Sequence, residues 1–227
     1  MYWFAEVLAH ERRSAEIAVL TCRPYRPLPF RAGQRVPIEC PYVPQRPRPY
    51  SIANAPRADG TLEFHVRAAG PVSSALVGRV KPGDVLRLGR PEGDLRVDPS
   101  SRRDLVFVAG GTGLAPAKAL IDELIQYNRT RWIHLLRGAR RRTGHYDRPT
   151  LDRLADRHPW LTIVRATSDE PDEHGRQCSI ADLVTRLGPW RHHDFVVCGS
   201  APMVGATMQA LDGFGVPRDR IQIDERP

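Results

Sequence analysis

The architecture of the second half of this 227-residue chain is indicated most clearly by the segment Leu105-Val106-Phe107-Val108-Ala109-Gly110-Gly111-Thr112-Gly113. Its first five residues form a continuous apolar run, which is typical of a β-strand covered on both faces of a parallel sheet. Glycines follow at once, and they let the backbone turn sharply and approach a ligand without a Cβ in the way. A helix predicted from Leu114 would aim free N–H groups and the positive end of its dipole at this turn. The segment therefore predicts a strand, a pyrophosphate-binding turn and a helix.

The residues after the turn narrow the choice of ligand. Leu114-Ala115 stands where a Walker A loop has Lys followed by Ser or Thr, so a dinucleotide is favoured over a nucleoside triphosphate. A glycine-rich turn that joins strand to helix and binds nothing is the alternative.

The rest of the second half alternates between strands and helices. Apolar runs predict strands at residues 132–136, 161–166, 195–198 and 221–223. Helical spacing predicts helices at residues 114–127, 151–157 and 180–187, and one from Pro202 that ends near Gly213 or Gly215. Such alternation builds a Rossmann-like parallel α/β domain, which binds ligands at the carboxyl edge of its strands.

The first half has a different pattern, in which short apolar runs are separated by Pro and Gly. Strands are predicted at residues 4–8, 16–20, 36–40, 50–53, 62–66 and 85–88, several with the period-two alternation of a half-buried sheet. One short helix is predicted at residues 73–80, with Ser74 as its N-cap. These elements predict a small antiparallel β-barrel. A polar, turn-rich connector at residues 98–102 divides the chain into domains at 1–98 and 103–227.

Composition excludes several classes of protein. The chain is 41% hydrophobic and 26% charged, as in ordinary globular domains. Its net charge is +8, which alone would suit an acidic partner or nucleic acid. The positive residues are nearly all arginines spread along the chain, with Lys81 and Lys118 as the two lysines. We interpret this bias as a feature of a GC-rich coding sequence, and we expect no nucleic-acid partner.

Cysteine spacing and the N-terminus indicate the compartment. Cys22, Cys40, Cys178 and Cys198 lie far apart, so local spacing builds neither a zinc ribbon nor an iron–sulfur site. The pair His192-His193 before Asp194 is interpreted as a polar loop, and no metal site is expected. Charged residues from Glu6 onward leave no room for an export signal, and no apolar run is long enough to span a membrane. We expect a cytoplasmic protein with reduced thiols and no membrane partner.

A second motif lies in the first half. Arg48-Pro49-Tyr50-Ser51 combines a guanidinium that can grip a phosphate, a flat ring and a small hydroxyl. In a strand, Arg48 and Tyr50 lie on one face. From the spacing alone, an exposed Arg–Tyr pair on an ordinary strand is the favoured interpretation of these residues.

Four motifs in chain order together resemble the ferredoxin–NADP reductase superfamily. Besides Arg48-Pro49-Tyr50-Ser51, they are Gly70-Pro71-Val72-Ser73-Ser74, Gly110-Gly111-Thr112-Gly113-Leu114-Ala115-Pro116 and Cys198-Gly199-Ser200-Ala201-Pro202-Met203. The segments from Ala5 to Arg13 and from Tyr50 to Pro56 are most similar to the reductase module of flavohaemoproteins. The resemblance implies an FAD-binding barrel followed by a domain for NADH or NADPH.

For FAD, the resemblance implies a set of contacts in the first half. Arg48, with Pro49 beside it, would contact the pyrophosphate, Tyr50 would pack on the flavin and Ser51 would lie near flavin N5. The backbone of His65-Val66-Arg67 would line the flavin edge. Val72, Ser73 and Ser74 would hold the pyrophosphate through N–H and hydroxyl groups, although an ordinary helix cap would use the same serines. The loop Ala68-Ala69-Gly70-Pro71 is short for the family, which would loosen FAD.

For the nicotinamide coenzyme, the resemblance implies contacts in the second half. Gly110, Gly111, Thr112 and Gly113 would bind the pyrophosphate, and Cys198, Gly199 and Met203 would lie near the nicotinamide. Arg137 and Arg140 could hold a 2′-phosphate and favour NADPH, but a solvated arginine run is the alternative and NADH-using members have a similar segment. Asp224 fits the family's acidic position near the C-terminus, whereas Arg226 stands where an aromatic residue is expected. Ser51, Cys198 and Asp224 are the predicted catalytic residues.

The resemblance implies a reductase in which NAD(P)H passes a hydride to FAD, which then gives electrons to an acceptor. The expected acceptor is a haem or iron–sulfur protein, such as a globin, cytochrome or ferredoxin. The alternatives are reduction of a free flavin, quinone or other small acceptor, and a non-catalytic basic module that binds nucleic acid.

Overall fold

The computed structural model describes residues 1–172, 175 and 177–226, without the side chain of Arg226. Its chain divides into two compact units. The first contains Met1–Arg96 and Lys118–Gln126, and the second contains Val97–Ala117 and Tyr127–Pro227. Residues 118–126 belong to a helix that begins in the second unit, so this helix contributes to both.

The described residues of the first unit form an antiparallel sheet of six strands. This sheet curls into a half-barrel. The strands are β1 (Trp3–Arg12), β2 (Ile17–Pro24), β3 (Arg35–Cys40), β4 (Val43–Ser51), β5 (Leu62–Arg67) and β6 (Val85–Leu88), with helix α1 (Pro71–Gly78) after β5. Their order is β4-β3-β6-β1-β2-β5. Just beyond β4, a bridge between Ile52 and Phe64 joins the two edges of the sheet. The predicted antiparallel β-barrel architecture is confirmed.

The inward faces of these strands form one apolar core. Alternate residues such as Val7, Leu20, Ile38, Phe64 and Leu86 are fully buried and pack together. Each Å² of apolar surface removed from water stabilises the fold by about 25 cal/mol, so this core is the main source of the unit's stability. The apolar residues of the period-two pattern are therefore those that point into the curled sheet.

Strand β4 is longer at its start than the predicted strand at residues 50–53, because it includes the proline-rich approach. Pro44, Pro47 and Pro49 lack the N–H that a central strand must donate on both sides. They are tolerated because β4 is at the edge of the sheet. Pro49 lies opposite Pro37 in the register with β3.

Helix α1 begins earlier than predicted, and Ser74 is not its N-cap. Gly70 occupies that position, and Pro71 follows with a ring whose fixed φ suits the first turn. The Ser73 hydroxyl accepts hydrogen bonds from the N–H groups of Ala69 and Gly70, at 2.9 and 3.0 Å. Ser74 is exposed, and its N–H donates to the Gly70 carbonyl within the helix.

The second unit is a parallel sheet with helices between its strands. Its described residues form strands β7 (Asp104–Gly110), β8 (Ile133–Ala139), β9 (Leu161–Thr167), β10 (His193–Ser200) and β11 (Ile221–Arg226). The helices are α2 (Leu114–Tyr127), α3 (Arg148–Arg157), α4 (Ile180–Leu187) and α5 (Ala201–Gly213). The strand order is β11-β10-β7-β8-β9, with every pair parallel. The predicted Rossmann-like α/β architecture is confirmed.

Strand β7 lies at the centre of this sheet, and four of its residues from Val106 to Ala109 are completely buried. That burial explains why its sequence is a continuous apolar run rather than an alternating one. Because the neighbouring strands run parallel, the turns after β7, β8 and β10 all lie at one carboxyl edge. Within the described residues, no helix is long and apolar enough to cross a membrane.

Candidate functional site

In the first unit, the end of β4 brings three predicted site residues together. Tyr50 lies opposite Val36 of β3, and Ser51 follows opposite Arg35. Tyr50 is half-buried and lies near the Ser73 side chain of α1, while Ser51 is buried at 6% exposure. Burial is the main reason that the pKa of Tyr50 rises to about 12, with a smaller contribution from Cys40. The ring is therefore neutral at physiological pH and offers an uncharged aromatic face.

Arg48 stands two residues before Tyr50 and is exposed, as an anion-binding side chain must be. One of its guanidinium N–H groups donates to the Pro47 carbonyl at 3.0 Å. A guanidinium has five N–H donors, so this single bond leaves it able to grip a phosphate. Pro49, between Arg48 and Tyr50, keeps this part of β4 rigid through its fixed φ.

Strand β5 is the last strand of the sheet, and its outer edge is paired in part by the segment that follows β4, through the bridge between Ile52 and Phe64. Its other edge pairs with β2, where Val66 lies opposite Ala18. The Ala53 N–H donates to the Glu63 carbonyl, so Glu63 points its backbone away from β2. Backbone direction alternates along a strand, so the N–H and C=O groups of His65 and Arg67 also point away from β2. These groups lie along the edge that the resemblance assigns to the flavin.

The start of α1 divides the three predicted pyrophosphate contacts. Val72 is buried, and the Ser73 hydroxyl accepts from the N–H of Gly70, the N-cap residue of α1. Ser74 is exposed. An ordinary helix cap therefore describes Ser73 and leaves Ser74 at the surface.

The first unit contains a buried network of charged side chains that the sequence did not predict. Lys118 Nζ lies 3.2 Å from Glu63 Oε1 and 3.2 Å from Asp122 Oδ2. The same Glu63 oxygen lies 2.8 Å from His65 Nε2, and Arg57 lies 3.3 Å from the other Glu63 oxygen. The single signal in the sequence was that Lys118 is one of two lysines in an arginine-rich chain.

The pKa values in this network follow from burial and charge. Burial alone would raise the pKa of Glu63, but its hydrogen bond to His65 and the charges of Lys118 and Arg57 outweigh burial and hold that pKa well below its usual range. Burial raises the pKa of Asp122, against the opposing effect of Lys118. Glu63 is therefore a carboxylate at every physiological pH.

In the second unit, two glycines of the turn after β7 have different reasons for being glycine. Gly111 has φ of +53°, and a Cβ there would meet nothing within 4 Å. Gly113 would place a Cβ 2.3 Å from the Cys198 carbonyl oxygen. Gly113 is thus required by the close approach of two chain segments, whereas Gly111 keeps a left-handed turn open to a ligand.

The turn after β10 packs against the turn after β7. A Cβ on Gly110 or on Gly199 would collide with the Met203 side chain, at 2.3 and 2.6 Å. The structure therefore brings together Gly110, Gly113, Cys198, Gly199 and Met203, five residues predicted for the coenzyme. Thr112 lies in the same turn and is half-buried.

Cys198 and Asp224 are neighbours at this carboxyl edge. They lie opposite each other in the parallel register of β10 and β11, and Ala109 of β7 lies on the other side of Cys198. Cys198 is fully buried and Asp224 is half-buried. Arg226 pairs with Ser200 through its backbone, and its side chain lies outside the described residues.

Arg137 and Arg140 have different environments. Arg137 is buried at 1% exposure, and its guanidinium donates to the carbonyls of Ala109, Gly138 and Gly144 at 3.0, 2.6 and 3.1 Å. Burial lowers its pKa. This geometry assigns Arg137 to supporting the turn after β8. Arg140 is exposed. Of the two arginines, Arg140 is therefore the one that a coenzyme 2′-phosphate can reach.

These donor sets fit the two expected cofactors. The first unit offers a guanidinium, a neutral aromatic face, a hydroxyl and the backbone at the end of β5, which suit FAD. The second unit offers an open left-handed turn at a helix start, which suits a dinucleotide. Among the described residues, no group of three or more His, Cys, Asp or Glu side chains could hold a metal ion.

Two families of known domains match this chain, one in each half. Residues 5–97 match the oxidoreductase FAD-binding domain family, and residues 107–209 match the oxidoreductase NAD-binding domain family. The predicted cofactors, FAD and a nicotinamide dinucleotide, are confirmed by these matches.

Among curated proteins, the relatives include reductases of oxygenase systems. The reductase component DmpP of phenol 2-monooxygenase from Pseudomonas sp. strain CF600 is 33% identical over 193 residues, which are 82% of this chain and 54% of that protein. The ferredoxin–NAD(P)+ reductase component of the naphthalene 1,2-dioxygenase system from Pseudomonas putida is 29% identical, covering 96% of this chain and 67% of that protein. The NAD(P)H-flavin reductase of Vibrio harveyi is 29% identical, covering 82% of this chain and 81% of that protein. The chain spans about half to two thirds of the length of the two oxygenase reductases.

Solved structures share the fold along the whole chain. The cytochrome P450 reductase GcoB from Amycolatopsis has a TM-score of 0.90 and 29% identity, covering 99% of this chain and 69% of that one. The flavohaem-like FAD/NAD-binding domain of nitric oxide dioxygenase from Vibrio cholerae has a TM-score of 0.86 and 22% identity, covering 99% and 98%. The chain therefore belongs to the ferredoxin–NADP reductase superfamily, with an FAD-binding domain followed by a nicotinamide-dinucleotide-binding domain.

Proposed function

We propose that this protein is an NAD(P)H-dependent, FAD-containing reductase that delivers electrons to a haem or iron–sulfur protein. The observation that carries the proposal is that one chain matches both cofactor-binding domain families, and each predicted motif lies at the end of a strand. The exposed Arg48 supports the flavin site, and the turn at Gly111, where a Cβ would meet nothing within 4 Å, supports the coenzyme site. We assign the flavin domain to residues 1–98 and the coenzyme domain to residues 103–227.

In the first domain, each residue has a distinct task. Arg48 neutralises the FAD pyrophosphate, and its planar guanidinium favours bidentate contact. Tyr50 packs its neutral ring against the flavin. Ser51 donates a hydrogen bond from its hydroxyl to flavin N5, which is an acceptor in the oxidised ring. The backbone of His65, Val66 and Arg67 lines the flavin edge.

In the second domain, the residues align the coenzyme. Gly111 and Thr112 offer backbone N–H groups to the pyrophosphate at the start of α2. Cys198 and Asp224, side by side on β10 and β11, hold the nicotinamide end, and Arg140 contacts a 2′-phosphate when NADPH is the coenzyme. When bound, the nicotinamide supplies a hydride and the flavin passes the electrons on singly. The contribution of the protein is alignment and electrostatics.

The electron acceptor is proposed from the relatives and from charge. Two relatives are reductase components of phenol 2-monooxygenase and naphthalene 1,2-dioxygenase, and GcoB is a cytochrome P450 reductase. A net charge of +8 would attract an acidic partner protein, and salt would screen that attraction. A cytoplasmic location is part of the proposal, and it agrees with four cysteines that form no disulfide among the described residues.

Reduction of free flavin is the second candidate. The Vibrio harveyi NAD(P)H-flavin reductase is covered over 81% of its length, more than either oxygenase reductase. A protein that releases reduced flavin would need a loosely held cofactor, and the short loop before α1 favours such release.

Purified protein tests these candidates. The proposal expects a yellow protein whose flavin absorbance is bleached by NADH or NADPH, and which reduces a haem or iron–sulfur protein more slowly as salt rises. Electron transfer only to added free flavin, independent of salt, would favour the second candidate. A colourless protein that neither binds FAD nor oxidises either coenzyme would overturn both.

A further inference from the structure

The buried network around Lys118 stands directly behind β5. Glu63 and His65 are two residues apart on this strand, so their side chains lie on the same face. Lys118 and Asp122 approach that face from α2, one helical turn apart. Lys118 is only 5% exposed and the His65 side chain is fully buried.

Such a network is a weak source of stability. Moving a lysine and a carboxylate out of water is unfavourable, and a well-packed apolar pair of the same size often stabilises a fold as much or more. What an apolar pair cannot do is orient a hydrogen-bonding ring. The network therefore fits a positioning task better than a stabilising one.

The chemistry of the Glu63–His65 contact fixes the histidine ring. A carboxylate only accepts hydrogen bonds, so His65 Nε2, 2.8 Å from Glu63 Oε1, must carry the hydrogen. This bond sets both the ring orientation and the position of its proton, as carboxylates do behind functional histidines. Lys118 bonds the same oxygen and the Ala53 carbonyl, at 3.2 and 3.3 Å. It thereby ties Glu63 to the segment that follows Ser51.

We propose that Glu63 and Lys118 are a positioning pair that fixes the His65 ring and holds β5 against the segment that follows Ser51, where the Ala53 N–H donates to the Glu63 carbonyl and Ile52 bridges Phe64. The assignment rests on the proposed function, because the flavin is the proposed ligand beside Ser51. We place neither Glu63 nor Lys118 in contact with the flavin. Their effect is to keep Ser51 and the backbone of β5 in the register that FAD binding requires.

The test combines a readout on His65 with one on FAD. In the flavin-free full-length chain, nitrogen-15 NMR of the histidine side chains follows the Nε2 proton of His65, assigned with His65→Gln. Fluorescence titration gives the FAD dissociation constant. Lys118→Met and Glu63→Gln are expected to speed exchange of this proton and to weaken FAD binding by about tenfold, as supporting residues do behind ligands. Lys118→Arg should restore both.

The other lysine provides a matched control. Lys81 is exposed, so Lys81→Met should leave both readouts at the wild-type value. If either single variant fails to fold, the double variant Glu63→Gln/Lys118→Met removes opposite charges together and gives the same two readouts. An unchanged His65 proton and an unchanged FAD affinity would overturn this inference. Failure of the wild-type protein to bind FAD would instead overturn the proposed function, while the proton readout would still decide whether the pair fixes the ring.

Discussion

Cys198 and Asp224 lie opposite each other in the register of β10 and β11, at the carboxyl edge of the parallel sheet. The two residues are 26 positions apart, yet the parallel pairing of β10 with β11 makes them neighbours. A buried thiol beside a half-buried carboxylate gives this edge a polar group next to an apolar one. The turn that carries Gly113 is in contact with Cys198 from the other side.

Replacing Asp224 tests whether this edge serves the coenzyme. Asp224→Asn keeps the size of the side chain and removes its charge, so we expect flavin reduction by NAD(P)H to slow by about 10- to 100-fold, with FAD still bound. Stopped-flow absorbance measures the rate. The exposed neighbour offers the control Glu225→Gln, which should react like the wild type. Equal rates for all three proteins would remove Asp224 from the mechanism.

The two glycines of the turn after β7 should respond differently to substitution. Gly113→Ala forces a Cβ against the Cys198 carbonyl, so it should destabilise the fold by about 1–3 kcal/mol. Gly111→Asn keeps the left-handed turn that asparagine tolerates, so stability should change by less than about 0.5 kcal/mol. The same variant should raise KM for the coenzyme. Thermal unfolding and steady-state kinetics separate the two effects. A Gly113→Ala variant as stable as the wild type, or a Gly111→Asn variant with an unchanged KM, would contradict this prediction.

Arg137 and Arg140 form a similar contrast. Arg137→Met leaves buried carbonyls without their donor and should lower stability by about 2–4 kcal/mol. Arg140→Gln should leave unfolding unchanged and raise KM for NADPH but not for NADH. If Arg140→Gln affects both coenzymes equally, the 2′-phosphate contact is not at Arg140.

His145 should make stability depend on pH in the mildly acidic range. Burial and the nearby charges of Arg137 and Arg165 lower its pKa from 6.5 to about 4. As pH falls from about 6.5 to 4, the unfolded chain gains a proton that the folded His145 resists, so folding weakens. After allowance for solvent screening of this partly exposed ring, the loss should be about 1–2 kcal/mol. Urea unfolding at a series of pH values measures it, and His145→Gln should flatten this part of the curve.

The sequence predicted the architecture and the motifs because both depend on local patterns. The apolar run before Gly110 indicates a central parallel strand, and alternation in the first half indicates a curled sheet. The prolines of β4 concealed its start, since proline argues against a strand unless the strand is known to lie at an edge. Edge position is a property of the sheet and not of the segment.

What the sequence could not predict depends on contacts between distant residues. Arg137 has the same side chain as Arg140, and only the folded sheet shows that one is buried against three carbonyls. The sequence does not distinguish Gly111 from Gly113. In the fold, Gly113 must be glycine because the Cys198 carbonyl of β10 leaves no room for a Cβ. Lys118 and Glu63 are 55 positions apart, and helix α2 brings them to 3.2 Å.

A crystal structure with FAD and NADP+ bound would show where each cofactor lies. We expect the flavin ring against Tyr50 with its edge along the backbone of His65 and Arg67, and the coenzyme pyrophosphate at Gly111. FAD bound away from β4 and β5, or a dinucleotide bound away from the turn after β7, would contradict this expectation.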